Sequence, residues 1–173
     1  MRYLIILIFL AFAQVVAGQE GNGQTAPKYH ISISKQTMVL TLYDANNKVV
    51  KRYPIACGKS YGNKVKPGDM RTPEGCFTVQ EVVKSSHWQH DFKDGKGMIP
   101  GAYGPYFIRL LTPPHRGIGI HGTHDDSSIG TRATEGCIRM HNSDLRELRP
   151  YVEVGMKVEI LTSEADKAAS GKR

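Results

Sequence analysis

From Tyr29 onward the chain alternates apolar and polar residues in short bursts. Tyr29-His30-Ile31-Ser32-Ile33-Ser34 has period two, the pattern of a strand with one face buried. Met38 to Tyr43 alternates as well, with Met38, Leu40 and Leu42 on one face. Asp44-Ala45-Asn46-Asn47 is turn chemistry, and Lys48 to Ala56 reads as a third strand, so residues 29–56 predict a β-meander. A fourth strand is expected within Glu74 to Val83, shorter ones at Tyr106 to Leu111 and Ile118 to His121, and a last one at Met156 to Leu161. A single helix is expected, over Ser143 to Tyr151. Asn142 or Ser143 would cap it, Asp144 sits in its first turn, Leu145 and Leu148 share a face, and Pro150 ends or kinks it. There are no repeats and no alternation of strands with helices. The pattern therefore predicts a mainly β domain over residues 29–162, a sandwich or barrel with one short helix.

Four segments fall outside that pattern. Residues 84–104 have no period and are rich in Gly, His and aromatics. A loop this long in a compact domain is usually functional or disordered, and Trp88, Phe92 and Tyr103 argue against disorder. A lid over a site and an ordered crossover both fit. At the N-terminus, Arg2 precedes an apolar run from Leu4 to Ala13, and Val16-Ala17-Gly18 supplies small residues. That is the layout of a secretory signal peptide over residues 1–18, and the run falls short of the roughly 20 residues a spanning helix needs. Residues 19–28 read as a linker and 163–173 as a flexible, solvated tail. An exported protein of the periplasm or cell envelope is the expectation, with no stable membrane insertion once the signal is cleaved.

The formal net charge is +7, and removal of residues 1–18 takes away only Arg2. The basic residues are scattered, so nucleic-acid binding is disfavoured and anionic envelope polymers are nearer partners. There are three cysteines, an odd number. In an oxidising compartment Cys57 and Cys76 could form a bridge, or either could be a small buried hydrophobe; in both cases Cys137 is left over.

The densest chemistry runs from Ile118 to Asp144. A short strand delivers His121 to a turn at Gly122, and Cys137 follows 16 residues later, after Gly136 and before Ile138-Arg139-Met140. A thiol of ordinary pKa ~8.5 needs a base to act as a nucleophile near neutral pH, and His is suited to be one. Gly136 permits a tight bend, and the N–H groups of Gly136 and Cys137 could face a developing oxyanion. Arg139, two residues on, shares a face with Cys137 if the stretch is extended. Each of these residues alone is more often structural than catalytic; their combination in an exported chain with an odd thiol is what gives them weight. A metal site is the competing chemistry. His121, His124, Asp125, Asp126, Cys137 and His141, or His87, His90 and Asp91, are suitable ligand types. Neither group has a C-x-x-C or H-E-x-x-H framework, so no metal and no cofactor is expected.

The runs I-H-G-T and T-E-G-C-I-R-M together resemble the signature of the L,D-transpeptidase catalytic domain, also called the YkuD domain. C-G-K-S-Y-G-N-K, M-R-T-P-E-G-C-F-T-V and Y-G-P-Y-F-I-R-L resemble further family segments, and the likeness covers about residues 29–162. The resemblance implies an acyl transfer on peptidoglycan stem peptides. Cys137 would attack the carbonyl joining the third stem residue to the terminal D-alanine, and a thioester would form as D-alanine leaves. His121 would take the thiol proton and later activate the acceptor amine, itself oriented by a backbone carbonyl. Gly136 and Cys137 would match the oxyanion segment and Arg139 the family Arg. Trp88 and Tyr103 in the lid, with Thr134 and Gly122, would contact substrate. The chain departs from the family in having Thr134 where Ser is commoner and Glu135 where His is common. A carboxylate there would raise the thiol pKa if it pointed inward, and a solvent-facing, peripheral Glu135 is the expectation. Transfer to an amine, transfer to water and a silent wall-binding module remain the alternatives.

Overall fold

The protein is described from a computed structural model, which covers residues 28–93 and 95–171. The signal-peptide segment and nearly all of the linker lie outside the described residues. Eleven strands are present: β1 Tyr29–Ser34, β2 Val39–Asp44, β3 Val49–Gly58, β4 Gly75–Lys84, β5 Gln89–Asp91, β6 Met98–Pro100, β7 Tyr106–Leu111, β8 Gly119–His121, β9 Arg132–Thr134, β10 Ile138–Met140 and β11 Lys157–Leu161. The main sheet runs β10-β8-β7-β4-β11-β1-β2-β3-β9, and β10 also pairs with β3. That second pairing closes the sheet into a barrel, which leaves neither β10 nor β3 as a free edge.

The alternation seen in the sequence is the barrel's inside and outside. Ile31 and Ile33 of β1, Leu40 and Leu42 of β2, Ile55 and Cys57 of β3, and Val158 and Ile160 of β11 are buried together. Ile120, Ile138 and Met140 extend this core beneath the region of densest chemistry. Helix α1, Asn142–Leu148, closes one end with Leu145 and Leu148, and a 3-10 turn at Arg149–Tyr151 carries Pro150. The helix begins one residue before the sequence placed it and has no side-chain cap. Asn142, expected as a cap, instead braces Thr123: its Oδ1 accepts from Thr123 N at 2.9 Å and its Nδ2 donates to Thr123 O at 2.8 Å.

One open alternative is decided and one expectation is corrected. Cys57 and Cys76 are not bridged; all three cysteines are free thiols, with Cys57 buried and Cys76 exposed. Cys76 lies on β4 and Cys57 on β3, and β11, β1 and β2 stand between those strands, too far for the 4.4–6.8 Å Cα separation usual for a disulfide. Residues 163–173 are not simply a frayed tail, because a second helix, α2, spans Glu164–Ser170. Its signal was a capping box that the sequence reading passed over, with Ser163 as cap and Asp166 reaching back to the cap's N–H.

Asp166 does more than cap. Its carboxylate meets Lys35 Nζ at 3.1 Å, Arg132 at 2.9 Å and the Gly62 N–H at 2.7 Å, with both Asp166 and Lys35 side chains fully buried. Glu74 pairs with Lys35 from the other side. These contacts hold the carboxyl below its usual range, against a burial penalty that is the largest opposing effect. They also tie α2 to the loop after β3. Replacement of Asp166 by Asn removes a charge from a closed buried cluster and is expected to cost roughly 3 kcal/mol in urea unfolding. The contribution is present at neutral pH and is lost on acidification through the lowered carboxyl pKa. Lys167→Ala, on the exposed face of α2, should leave the unfolding midpoint unchanged.

Candidate active site

β8 and β10 run parallel and adjacent, with His121 in register with Arg139 and Ile120 with Ile138. The turn entering β10 therefore brings Cys137 beside the end of β8. Gly136 makes that turn with φ +135°, and a Cβ there would lie 2.7 Å from the Arg71 carbonyl. Both its conformation and its packing thus require glycine. Thr134 braces the same turn: its hydroxyl donates to Cys137 O at 2.6 Å and accepts from Gly136 N at 3.2 Å. Of the two N–H groups the sequence offered to an oxyanion, that of Gly136 is thus already bonded. Thr134 is buried and braces the turn, and it also lines the small pocket beside Cys137.

His121 is buried, and its Nδ1 donates to Gly122 O at 2.6 Å. That bond assigns the proton to Nδ1 and leaves the Nε2 lone pair as the basic site. Phe107, its cross-strand partner on β7, stacks on the imidazole at 5.7 Å and 5°, and Tyr103 meets it edge-on at 5.0 Å. Gly122 is not free to present a side chain or its carbonyl to the groove. It instead holds the base, in a space so tight that a Cβ would meet Asn142 Oδ1 and the backbone of Gly104.

The thiol of Cys137 is partly exposed and donates to Gly117 O at 3.4 Å. It lines two cavities. One is a groove of about 620 Å³, walled by Trp88, Tyr103 and Phe107 on one side and by Lys64, Arg109 and Arg116 among its cations. The other is a pocket of about 40 Å³ shared with His121, Thr134, Arg139 and Glu135. Trp88 and Tyr103 both line the groove. Arg139 is buried, bonds Ser128 Oγ at 2.9 Å, and has an Nε without a partner among the described residues.

Residues 84–93 and 95–104 form an ordered cover. β5 pairs with β6, Trp88 packs on Phe107 at 5.5 Å, and Phe92 lies between His124 at 5.0 Å and the Arg139 guanidinium at 5.6 Å. Glu135 is not peripheral, contrary to expectation. It lines both cavities, and its Oε2 lies 3.2 Å from His90 Nε2 of the cover. The expectation failed because residue spacing alone does not show that the cover folds back over β10. His141 pairs with Asp126 at 2.8 Å, and among the described residues no three His, Cys, Asp or Glu side chains gather as metal ligands.

At rest both reacting groups are neutral. Burial pushes the Cys137 thiol up to about 11, with Glu135 adding to the rise, while the Gly119 N–H and the charges of Lys64 and Arg109 oppose it. Burial pushes His121 down to about 3, against its bond to Gly122. His121 is thus a neutral imidazole, and Cys137 a neutral thiol, throughout the physiological range.

The chain matches the family model of the L,D-transpeptidase catalytic domain over residues 28–160, and it belongs to that family. It is 36% identical over 132 residues to YkuD of Bacillus subtilis, an L,D-transpeptidase by its name, covering 76% of this chain and 65% of that protein. YkuD of Bacillus licheniformis is 35% identical over 153 residues, covering 85% of this chain and 77% of its own length. In fold, the chain matches the catalytic domain of an Enterococcus faecium L,D-transpeptidase with a TM-score of 0.57 at 22% identity, over 79% of this chain and 98% of that one. It matches Bdellovibrio bacteriovorus Bd1075 with a TM-score of 0.56 at 24% identity, over 83% and 54% of the two chains.

The two pKa directions make a test. Alkylation of Cys137 by iodoacetamide, followed by peptide mass mapping to separate it from Cys57 and Cys76, should accelerate steadily beyond pH 9 towards 11. A plateau near pH 8 would contradict a thiol kept neutral by its surroundings.

Proposed function

We propose that this is an exported L,D-transpeptidase that works through a Cys137 thioester on peptidoglycan stem peptides. The observation that carries the reading is a partly exposed thiol on a groove floor, sharing a pocket with a buried neutral imidazole whose tautomer is fixed by a backbone carbonyl. A donor tetrapeptide lies in the large groove, its apolar backbone faces against Trp88, Tyr103 and Phe107 and its carboxylates towards Lys64, Arg109 and Arg116. His121 Nε2 takes the thiol proton as sulfur attacks the carbonyl between the third residue and D-alanine. The Gly119 N–H favours the sulfur anion, and the Cys137 N–H faces the oxygen as it becomes negative. The tetrahedral intermediate collapses, the proton on His121 passes to the departing amine, and D-alanine leaves. Arg139 keeps its place through Ser128 and Phe92 and sets the positive potential of the small pocket. An acceptor amine then attacks the thioester to give a 3→3 cross-link.

The small pocket has about the volume of one water molecule, which supports a second reading, L,D-carboxypeptidase activity with water as acceptor. Mass spectrometry of tetrapeptide muropeptides after incubation separates the two: dimers report transpeptidation and tripeptides report hydrolysis. Cys137→Ala should lower D-alanine release by about 10⁴-fold or more while circular dichroism stays unchanged. EDTA should have no effect on turnover. Activity that survives the substitution would exclude the thioester, and activity lost to chelation would return a metal to the mechanism.

A further inference from the structure

Glu135 is the only carboxylate among the described residues that line either cavity at Cys137. It is placed at a cost to the first half of the reaction, since its charge raises the pKa of the thiol that must ionise. Its geometry is not that of a purely structural ion pair. Its side chain is 36% exposed, and its partner His90, 28% exposed, sits on the cover rather than on the barrel. The buried carboxylate of Asp166, by contrast, is closed on every side by Lys35, Arg132, Ser163 and the Gly62 N–H. Glu135 therefore retains an oxygen that a visiting donor can reach, at the junction of the groove and the pocket that holds His121. The other charged groups lining the two cavities are cations, Lys64, Arg109 and Arg116 in the groove and Arg139 in the pocket, so Glu135 is the one point there that favours a positive charge.

An amine acceptor meets this site as an ammonium ion, because an ordinary alkyl amine has a pKa near that of lysine, about 10.4. Nothing else lining the two cavities offers it a full negative charge. We propose that Glu135 is the specificity-determining residue for the acceptor: its carboxylate receives the incoming ammonium and holds its nitrogen beside the Cys137 thioester, directing the acyl group to an amine rather than to water. The inference rests on the acyl-transfer reading above.

The step balances as follows. The ammonium held by Glu135 releases one proton to solvent, and the free amine attacks the thioester carbonyl. The new C–N bond forms and the C–S bond breaks. His121 takes the second proton from nitrogen and returns it to the departing sulfur, which regenerates the neutral thiol. Water carries no positive charge and gains nothing comparable from the carboxylate.

The test compares wild type, Glu135→Gln and Glu135→Asp on tetrapeptide muropeptide, with products read by mass spectrometry. Glu135→Gln should lower the dimer-to-tripeptide ratio about tenfold, the scale of one charge-assisted hydrogen bond, and Glu135→Asp should keep most of it. Because both products come from one acyl-enzyme, the ratio does not depend on what fraction of a preparation is folded. A second arm offers ethylamine, charged at neutral pH, against methoxyamine, which is uncharged. The ethylamine-to-methoxyamine adduct ratio should fall about tenfold in Glu135→Gln. Equal ratios in wild type and Glu135→Gln would overturn the inference. So would selective loss of tripeptide, which would assign Glu135 to water. Wild type that releases D-alanine but forms only tripeptide overturns this inference alone, whereas no D-alanine release from wild type overturns the acyl-transfer reading with it.

Discussion

The site depends on the double pairing of β10. This three-residue strand bonds in parallel to β8 and antiparallel to β3, and so closes the barrel. Closure fixes the register of Arg139 against His121 on one side and against Ala56 on the other. A slip of one residue would turn Ile138 and Met140 out of the core, so the register is enforced by burial and not by the site's own chemistry. Cys137 is then delivered to the base by packing that would exist without catalysis. The glycine before it passes so close to the Arg71 carbonyl that the nucleophile's turn is also locked to the loop that walls the groove.

Around that frame the chain has assembled a site that is electrically quiet at rest. The imidazole is sandwiched by Phe107 and Tyr103, and the thiol gives its proton to a carbonyl, not to the base. An ion pair formed in advance would need two charges held in an apolar setting, and their desolvation is expensive unless they are fully bonded. Leaving both groups neutral defers that cost until the substrate carbonyl can accept the electron pair. The positive residues of the groove, Lys64 and Arg109, already lower the cost of a developing negative charge at sulfur and oxygen.

Much of this was legible in the sequence because period-two alternation is a direct imprint of a barrel with one face inside. Ile31, Ile33, Leu40, Leu42, Val158 and Ile160 were on the page as a pattern before they were seen as a core. His121 and Cys137 were legible for a different reason: Gly-flanked reactive residues at a family spacing are rare by chance. What stayed hidden depended on contacts between distant segments. That the Thr134 hydroxyl bonds the turn at Cys137 and the Gly122 carbonyl bonds His121 was not to be read from spacing alone. The separation of Cys57 from Cys76 follows from sheet order, and no local pattern encodes which strands lie between two others. Glu135 was misjudged because its partner comes from the cover, 45 residues earlier.

The buried charges at the far end of the chain belong to the same logic. A cluster of Lys35, Glu74, Arg132 and Asp166 is a costly way to fasten a seven-residue helix, since an apolar contact of similar size would stabilise as well or better. Its bonds, however, reach the Gly62 N–H, and from there the loop runs through Lys64, Pro67, Gly68 and Met70 along the groove. Lys64 is itself held by Asp69, whose carboxylate also caps Val65, Lys66 and Arg71. Apolar packing could slide, whereas directed bonds to a backbone N–H fix a position. The cluster's contribution to function is therefore geometric: it sets where the cationic wall stands relative to Cys137, and the same loop presents the Arg71 carbonyl against which Gly136 turns. The groove wall and the turn that carries Cys137 are in this way referred to one segment of chain, so that the proposed donor and the sulfur would share a single frame of reference.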